Sequence, residues 1–216
     1  MPTPVHIGQT IRNACLFNFR RYEQSPMNAD ALLQTVSRFF SLLEEREIEY
    51  LLVGGVALLQ YVEGRNTEDI DLIVSVGSLK ALPEITIEHR DGHFFRGRFE
   101  DLRVDFLLTT NPLFAMVQEG YATRHTFRER RIPCATVEGL ILLKLYALPS
   151  LYRQGNFARV GLYENDLATL MHTYQPDLEP LFAALGSQLS PADLGEVRRI
   201  TAELQQRIER FRRPWS

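Results

Sequence analysis

Apolar positions along this chain change their period near residue 135. Over 31–47 they recur at helical spacing, with Leu32, Val36, Phe39, Phe40, Leu42 and Leu43 near one face. Asn28 or Asp30 stands where the cap of that helix belongs. The apolar run 50–53 reads as a buried strand. Gly54 and Gly55 end it, and 55–62 returns to helical spacing. A polar, turn-like stretch over 63–68 leads to a second apolar strand, 70–74, whose start carries Asp69 and Asp71. Strands follow at 85–89, 94–99 and 102–108, the last two joined by a turn through Glu100-Asp101. Asn111-Pro112 opens a short helix by cap and first-turn proline, and 131–135 is another strand. Beyond that the pattern is helical. One helix runs from Thr136 to about 147 and another from about Asn165 to about 174. A short one is bounded by Pro176 and Pro180, and a last one is opened by Ser190-Pro-Ala-Asp193. Residues 1–27 show no clear period and read as an arm or an extra element. The expected organisation is therefore that arm, an α/β core over 28–135 and a helical region over 136–216, with the active site in the cleft between core and helices.

The stretch from Gly54 to Val74 carries the chemistry. Side chains alternate faces along a strand, so Asp69 and Asp71 point the same way, with backbones about 6.5–7 Å apart. Ile70 and Leu72 point into a core. Two like charges side by side repel, and a divalent cation relieves the repulsion. Mg²⁺ prefers hard oxygen ligands and is usually held by one or two carboxylates plus substrate phosphates. The strand over 102–108 carries a third acid, Asp105, among apolar neighbours. Three carboxylates from two adjacent strands suit metal ions clamping an in-line phosphoryl displacement. Gly54 and Gly55 let the backbone come close to a bulky group. Paired aspartates at a strand start also cap turns. What points to a metal and a phosphate is the conjunction of strand, Gly-Gly, short helix, Asp-x-Asp and a later strand aspartate.

That conjunction resembles the nucleotidyltransferases of the DNA polymerase β superfamily, and it implies their fold: a mixed central sheet in an α/β (α+β) domain, followed here by a helical C-terminal half. The version in this chain is Gly54-Gly55-x-Ala57 with Arg65-x-Thr67-x-Asp69-x-Asp71, and it is most similar to the AbiEii-type abortive-infection toxins. The resemblance spans about 35–173. It implies metal binding by Asp69, Asp71 and Asp105, with Mg²⁺ or Mn²⁺ as the ion. It implies nucleotide binding, of ATP or another NTP, by Gly54, Gly55, Arg65, Thr67 and Lys144. Asp105 would also take the proton of the attacking hydroxyl. Lys144 on one helix and Asp166 beginning the next fit the later positions of that branch, with Asp166 positioning Lys144 or the acceptor. The activity implied is transfer of NMP to a hydroxyl acceptor such as tRNA or another RNA, by the toxin of a toxin–antitoxin pair. A cognate antitoxin protein is then the expected partner. The minimal nucleotidyltransferases that pair with helical proteins carry Gly-Ser where this chain has Gly-Gly. Two alternatives stay open: transfer to a small molecule such as an antibiotic, and a non-catalytic regulatory member of the superfamily.

Composition narrows the setting. The chain has 216 residues, 45% of them hydrophobic, enough for one large domain or a domain with a helical extension. A net charge of −3 gives no global nucleic-acid footprint. Cys15 and Cys134 lack metal-ligand spacing and suit a reducing compartment. No apolar run of about 18 residues predicts a membrane span, and the N-terminus lacks the apolar core of a signal peptide, so a cytoplasmic protein is expected. Only Lys80 and Lys144 are lysines against 22 arginines. A compact ammonium retained among Leu140, Ile141, Leu142, Leu143 and Leu145 suits a phosphate, and suits equally a stem that snorkels its head to water. Arg65 fits a triphosphate contact or a solvated loop, and Thr67 fits a loop-orienting hydroxyl or a turn cap. Arg124, His125, Arg128, Arg130 and Arg131, with Phe127 among them, form a basic segment that reads as a surface for an RNA acceptor or for a substrate's triphosphate, or as a solvated loop.

Overall fold

The computed structural model describes residues 5–17, 29–63, 67–128 and 130–212. Arg65 and the capping position Asn28 lie outside them, and the side chains of Asp30 and Cys15 are likewise outside. The chain divides into two compact units, Met1–Thr136 and Val137–Ser216.

The first unit is built on a seven-stranded mixed sheet. In chain order its elements are α1 (Ile7–Phe17), α2 (Ala29–Glu45), β1 (Tyr50–Val53), α3 (Gly54–Leu58), β2 (Asp69–Val74), α4 (Val76–Lys80), β3 (Thr86–Asp91), β4 (Phe94–Phe99), β5 (Leu102–Leu108), α5 (Pro112–Gly120), β6 (Ala122–Thr126) and β7 (Arg131–Ala135). The strands lie in the order β3-β4-β5-β2-β1-β7-β6. β2–β5 and β1–β7 are parallel, and the other four neighbouring pairs are antiparallel. The amphipathic stripe of α2 works as the sequence predicts: Leu32, Val36, Phe39, Phe40 and Leu43 are buried. Its Phe39 ring sits 5.4 Å from that of Phe99 on β4. The apolar faces of β2 and β5, with Ile70, Leu72, Val74, Val104 and Phe106, are fully buried.

Several local expectations need correction. Within the N-terminal stretch, Ile7–Phe17 forms α1, an extra element rather than an arm, which buries Ile7, Ile11 and Ala14. The helix after Gly-Gly stops at Leu58 and frays into turns through Tyr61, shorter than the predicted 55–62. Arg124 and His125 of the basic segment lie in a strand, β6, paired antiparallel with β7, which Arg131 opens; Arg128 and Arg130 lie between the two. The polar residues of β6 alternate with nothing apolar enough to mark a strand, so pairing with β7 decides its conformation. At the other edge β3 is largely exposed and bulged between Ile87 and His89.

The second unit is helical: α6 (Val137–Arg153), α7 (Phe157–Tyr174), α8 (Glu179–Gly186) and α9 (Pro191–Arg212). Leu140, Leu145, Leu167, Leu170, Leu181, Leu185, Val197 and Leu204 form its core. α6 continues six residues past the predicted end, through Pro149. A proline inside a helix removes one backbone bond and costs about 3 kcal/mol, and burial of Leu148, Pro149 and Leu151 offsets it. α7 begins well before Asn165, because the Asn156 side chain accepts from the backbone N–H of Arg159 and caps it. Asp166 therefore lies in mid-helix, not at a helix start. At α9 the Ser190 hydroxyl accepts from the Asp193 N–H, as its sequence predicts. No helix among the described residues is long and apolar enough to cross a membrane.

Candidate active site

The acids are gathered by the register of three neighbouring strands. In the parallel pair β2–β5, Asp71 is opposite Asp105 and Asp69 is opposite Arg103. In the antiparallel pair β4–β5, Arg96 is opposite Asp105. Residues opposite one another share a face, so Asp69, Asp71, Asp105 and Arg96 project to one side of the sheet. Asp69 and Asp71 are half-buried, while Ile70 and Leu72 between and beyond them are fully buried, which is the alternation predicted.

Each glycine of the pair makes room for one acid. Gly54 has φ of +64°, a left-handed conformation that suits glycine. A Cβ there would fall 1.9 Å from Oδ2 of Asp71, so the carboxylate occupies the space that any other residue would fill. A Cβ on Gly55 would fall 2.5 Å from the Thr67 hydroxyl. Thr67 is 7% exposed, and its hydroxyl donates to Oδ1 of Asp69 at 3.0 Å. Thus Gly54 seats Asp71 directly, and Gly55 seats Asp69 through Thr67. Sequence reasoning read both glycines as room for a phosphate. Their contacts with Asp71 and Thr67 become visible only once β1 and β2 are paired.

Asp105 is fully buried and bound twice by one guanidinium. Arg96 Nε donates to Oδ1 and Nη2 donates to Oδ2, both at 2.9 Å. The same guanidinium lies 5.7 Å from the centre of the Phe94 ring. Its pKa is raised, chiefly by the hydrogen bonds to Asp105, with smaller contributions from the charges of Asp69 and Asp71. Arg96 is the site residue that the sequence did not single out. The signal available was an arginine midway along a strand next to the strand of Asp105. The turn predicted at Glu100-Asp101 makes the two strands a hairpin, and pairing Phe99 with Leu102 sets Arg96 opposite Asp105.

The donor set can be tested against a hard divalent cation. Asp69 and Asp71 supply carboxylate oxygens from one face, half-buried, with Asp71 seated in the hollow above Gly54 and Asp69 held by Thr67. This fits an ion that completes its shell with phosphate oxygens and water. Among the described residues no three His, Cys, Asp or Glu side chains are grouped to hold a metal.

Lys144 and Asp166 meet within the helical unit. Lys144 Nζ donates to Asp166 Oδ2 at 2.8 Å and lies 4.4 Å from the Tyr163 ring centre. Both residues are buried, at 4% and 2% exposure. The basic segment of β6 and β7 is elsewhere in the first unit. Arg131 is at the Tyr50 end of β1, opposite the end where Gly54 and Asp71 meet. A groove of about 1200 Å³ there is lined by Tyr50, Ser75, Thr109, Arg124 and Arg131. Phe127 is 1% exposed and is not available to stack on a base. Arg130 is tied to α2 through Glu44, Ser41 and the Ser37 carbonyl.

No protein-family model matches the sequence, and no curated protein matches it. Among solved structures the chain is similar to an antigenic nucleotidyltransferase-like protein from Paracoccidioides brasiliensis, at 17% identity over 77% of this chain and 91% of that one, with a TM-score of 0.44. It is similar to ANT(2")-Ia in complex with adenylyl-2"-tobramycin, at 15% identity over 81% and 98%, with a TM-score of 0.47. A lincomycin-bound lincosamide antibiotic adenylyltransferase matches at 20% identity over 50% and 83%, with a TM-score of 0.39. Identities and TM-scores this low leave the reading of this chain to its own side chains.

Proposed function

We propose that this chain is a divalent-metal-dependent nucleotidyltransferase that moves NMP from an NTP to a hydroxyl acceptor. The observation that carries this reading is the joint seating of Asp69 and Asp71 by the two adjacent glycines. A solvated pair of strand acids has no need of a left-handed glycine hollowed around one carboxylate and a buried threonine fixed to the other. In the proposed reaction the acceptor oxygen bonds to the α-phosphorus, the bond from that phosphorus to the β-bridging oxygen breaks, pyrophosphate leaves, and the hydroxyl proton passes to solvent; the expected role of Asp105 as its acceptor does not fit a buried carboxylate with both oxygens bound to Arg96. Mg²⁺ or Mn²⁺, when bound, neutralises and orients the phosphates. The chain's own contribution is positioning and charge. Asp69 and Asp71 are the carboxylates that would hold the ion, Thr67 fixes the rotamer of Asp69, and Asp105 stands beside Asp71 with its charge covered by Arg96. Lys144, with Asp166 as its orienting partner, is proposed as a cation for phosphate, and Arg65 as a triphosphate contact.

The acceptor class follows from the sequence resemblance: an RNA such as tRNA, with the chain as the toxin of a pair that includes an antitoxin protein. A small-molecule acceptor is the other outcome. Incubating the protein with each labelled NTP, divalent metal and either total RNA or a panel of hydroxylated antibiotics tests both. Label should move to one class of acceptor in the wild type, and Asp69→Asn or Asp71→Asn should lower transfer at least about a thousandfold. Undiminished transfer by either variant refutes the assignment.

A further inference from the structure

Three carboxylates share the candidate face, yet they are not equivalent. Both oxygens of Asp105 accept from Arg96 in a planar two-bond pairing, and the residue has no exposed surface. An arginine cannot be deprotonated in a protein, and its fork matches a carboxylate with both oxygens engaged. Arg96 is itself fixed from two sides, by its register opposite Asp105 and by the Phe94 ring. Arg103, opposite Asp69 on the same face, lies 4.0 Å from Glu68, and Arg98 is paired with Glu88, so Arg96 is the guanidinium bound to Asp105.

We propose that Arg96 is the resident cation of this centre: it keeps Asp105 out of a metal's coordination shell, so that the ion is carried by Asp69 and Asp71 alone. The inference rests on the reading of those two aspartates as metal carboxylates. It departs from the expectation that all three acids are ligands, and it makes Arg96 a positioning residue. Its effect on metal affinity is opposite in sign to that of a merely structural ion pair: removing Arg96 exposes a third carboxylate and tightens binding.

The test is a Mn²⁺ titration of the full chain, followed by the electron paramagnetic resonance of free Mn²⁺. The proteins are the wild type, Asp71→Asn, Asp105→Asn, Arg96→Met and the double variant Arg96→Met/Asp105→Asn. Asp71→Asn should weaken binding about tenfold or more, as loss of a metal ligand does. Asp105→Asn should change it by less than about threefold. Arg96→Met should tighten it about tenfold, and the double variant should return to within about threefold of the Asp105→Asn value. If Arg96→Met does not fold, the Asp105→Asn measurement decides alone, because Arg96 is partly exposed and can turn to solvent when its partner is neutral. Weakening by Asp105→Asn as large as that by Asp71→Asn overturns the inference while leaving the metal reading intact. Absence of Mn²⁺ binding in the wild type, or unchanged binding in Asp71→Asn, sinks the metal reading and the inference together.

Discussion

A single backbone conformation does much of the work at the site. Gly54→Ala would place a Cβ where Asp71 keeps its carboxylate, in a left-handed conformation that costs an L-residue roughly 1–2 kcal/mol. Chemical denaturation should register that loss, and Mn²⁺ affinity should drop about tenfold as Asp71 is displaced. A second residue-scale effect concerns His125. The Tyr61 hydroxyl donates to the Ala135 carbonyl at 2.8 Å, so the Nε2–H of His125 donates to the Tyr61 oxygen at 2.8 Å. Burial holds the imidazole pKa below its ordinary value. The unfolded chain therefore takes up this proton first. The stabilisation linked to His125 is fully present above about pH 6.5 and is lost as pH falls through the depressed folded value. Melting temperatures at pH 7.5 and pH 5.5 should differ less in His125→Gln than in the wild type. At this scale the acids and glycines were legible in the sequence, because charges on an apolar strand and paired glycines are visible without coordinates. Arg96 was not singled out, although the predicted hairpin sets it opposite Asp105, because Arg98 and Arg103 nearby leave one strand arginine without a distinguishing pattern.

Pairs of elements decide the rest of the chemistry. α6 and α7 each bring one charged residue to a buried contact, Lys144 and Asp166, and such a pair is costly to break from one side. Lys144→Met alone should destabilise by about 3–5 kcal/mol, whereas Lys144→Met with Asp166→Leu should recover most of that loss. Thermal or urea unfolding measures both. If the double variant folds well but transfers no nucleotide, Lys144 has the proposed role toward phosphate. If it transfers normally, the pair serves packing only. The limits of pattern reading are also clearest here. Periodicity found α2 and the strands 94–99 and 102–108 to the residue or nearly so, because each buries one regular face. It lost the ends of α6 and α7. In α6 tertiary burial carried the helix through a proline, and in α7 the cap was Asn156 rather than a residue nearer Asp166. β6 escaped notice because an edge strand with polar residues on both faces has no apolar period to detect.

For the whole molecule the division at Thr136 separates two kinds of contribution. Asp69, Asp71, Asp105, Arg96, Thr67 and Gly54 all lie in the first unit, and Lys144 and Asp166 lie in the second. If Lys144 is a cation for phosphate, as proposed, the Lys144→Met/Asp166→Leu variant should weaken NTP binding about tenfold in a calorimetric titration with Mg²⁺ present. Unchanged NTP affinity would refute that role.

The bulged strand β3 ends the sheet on one side. It carries Glu88, His89, Arg90 and Asp91 in a largely exposed row, and Glu88 is bridged to Arg98 of β4. An open strand is a template on which another chain can add itself. Here the irregular register between Ile87 and His89 and the alternating charges spoil that template. The edge thus carries in its own residues a guard against a strand added from a second molecule.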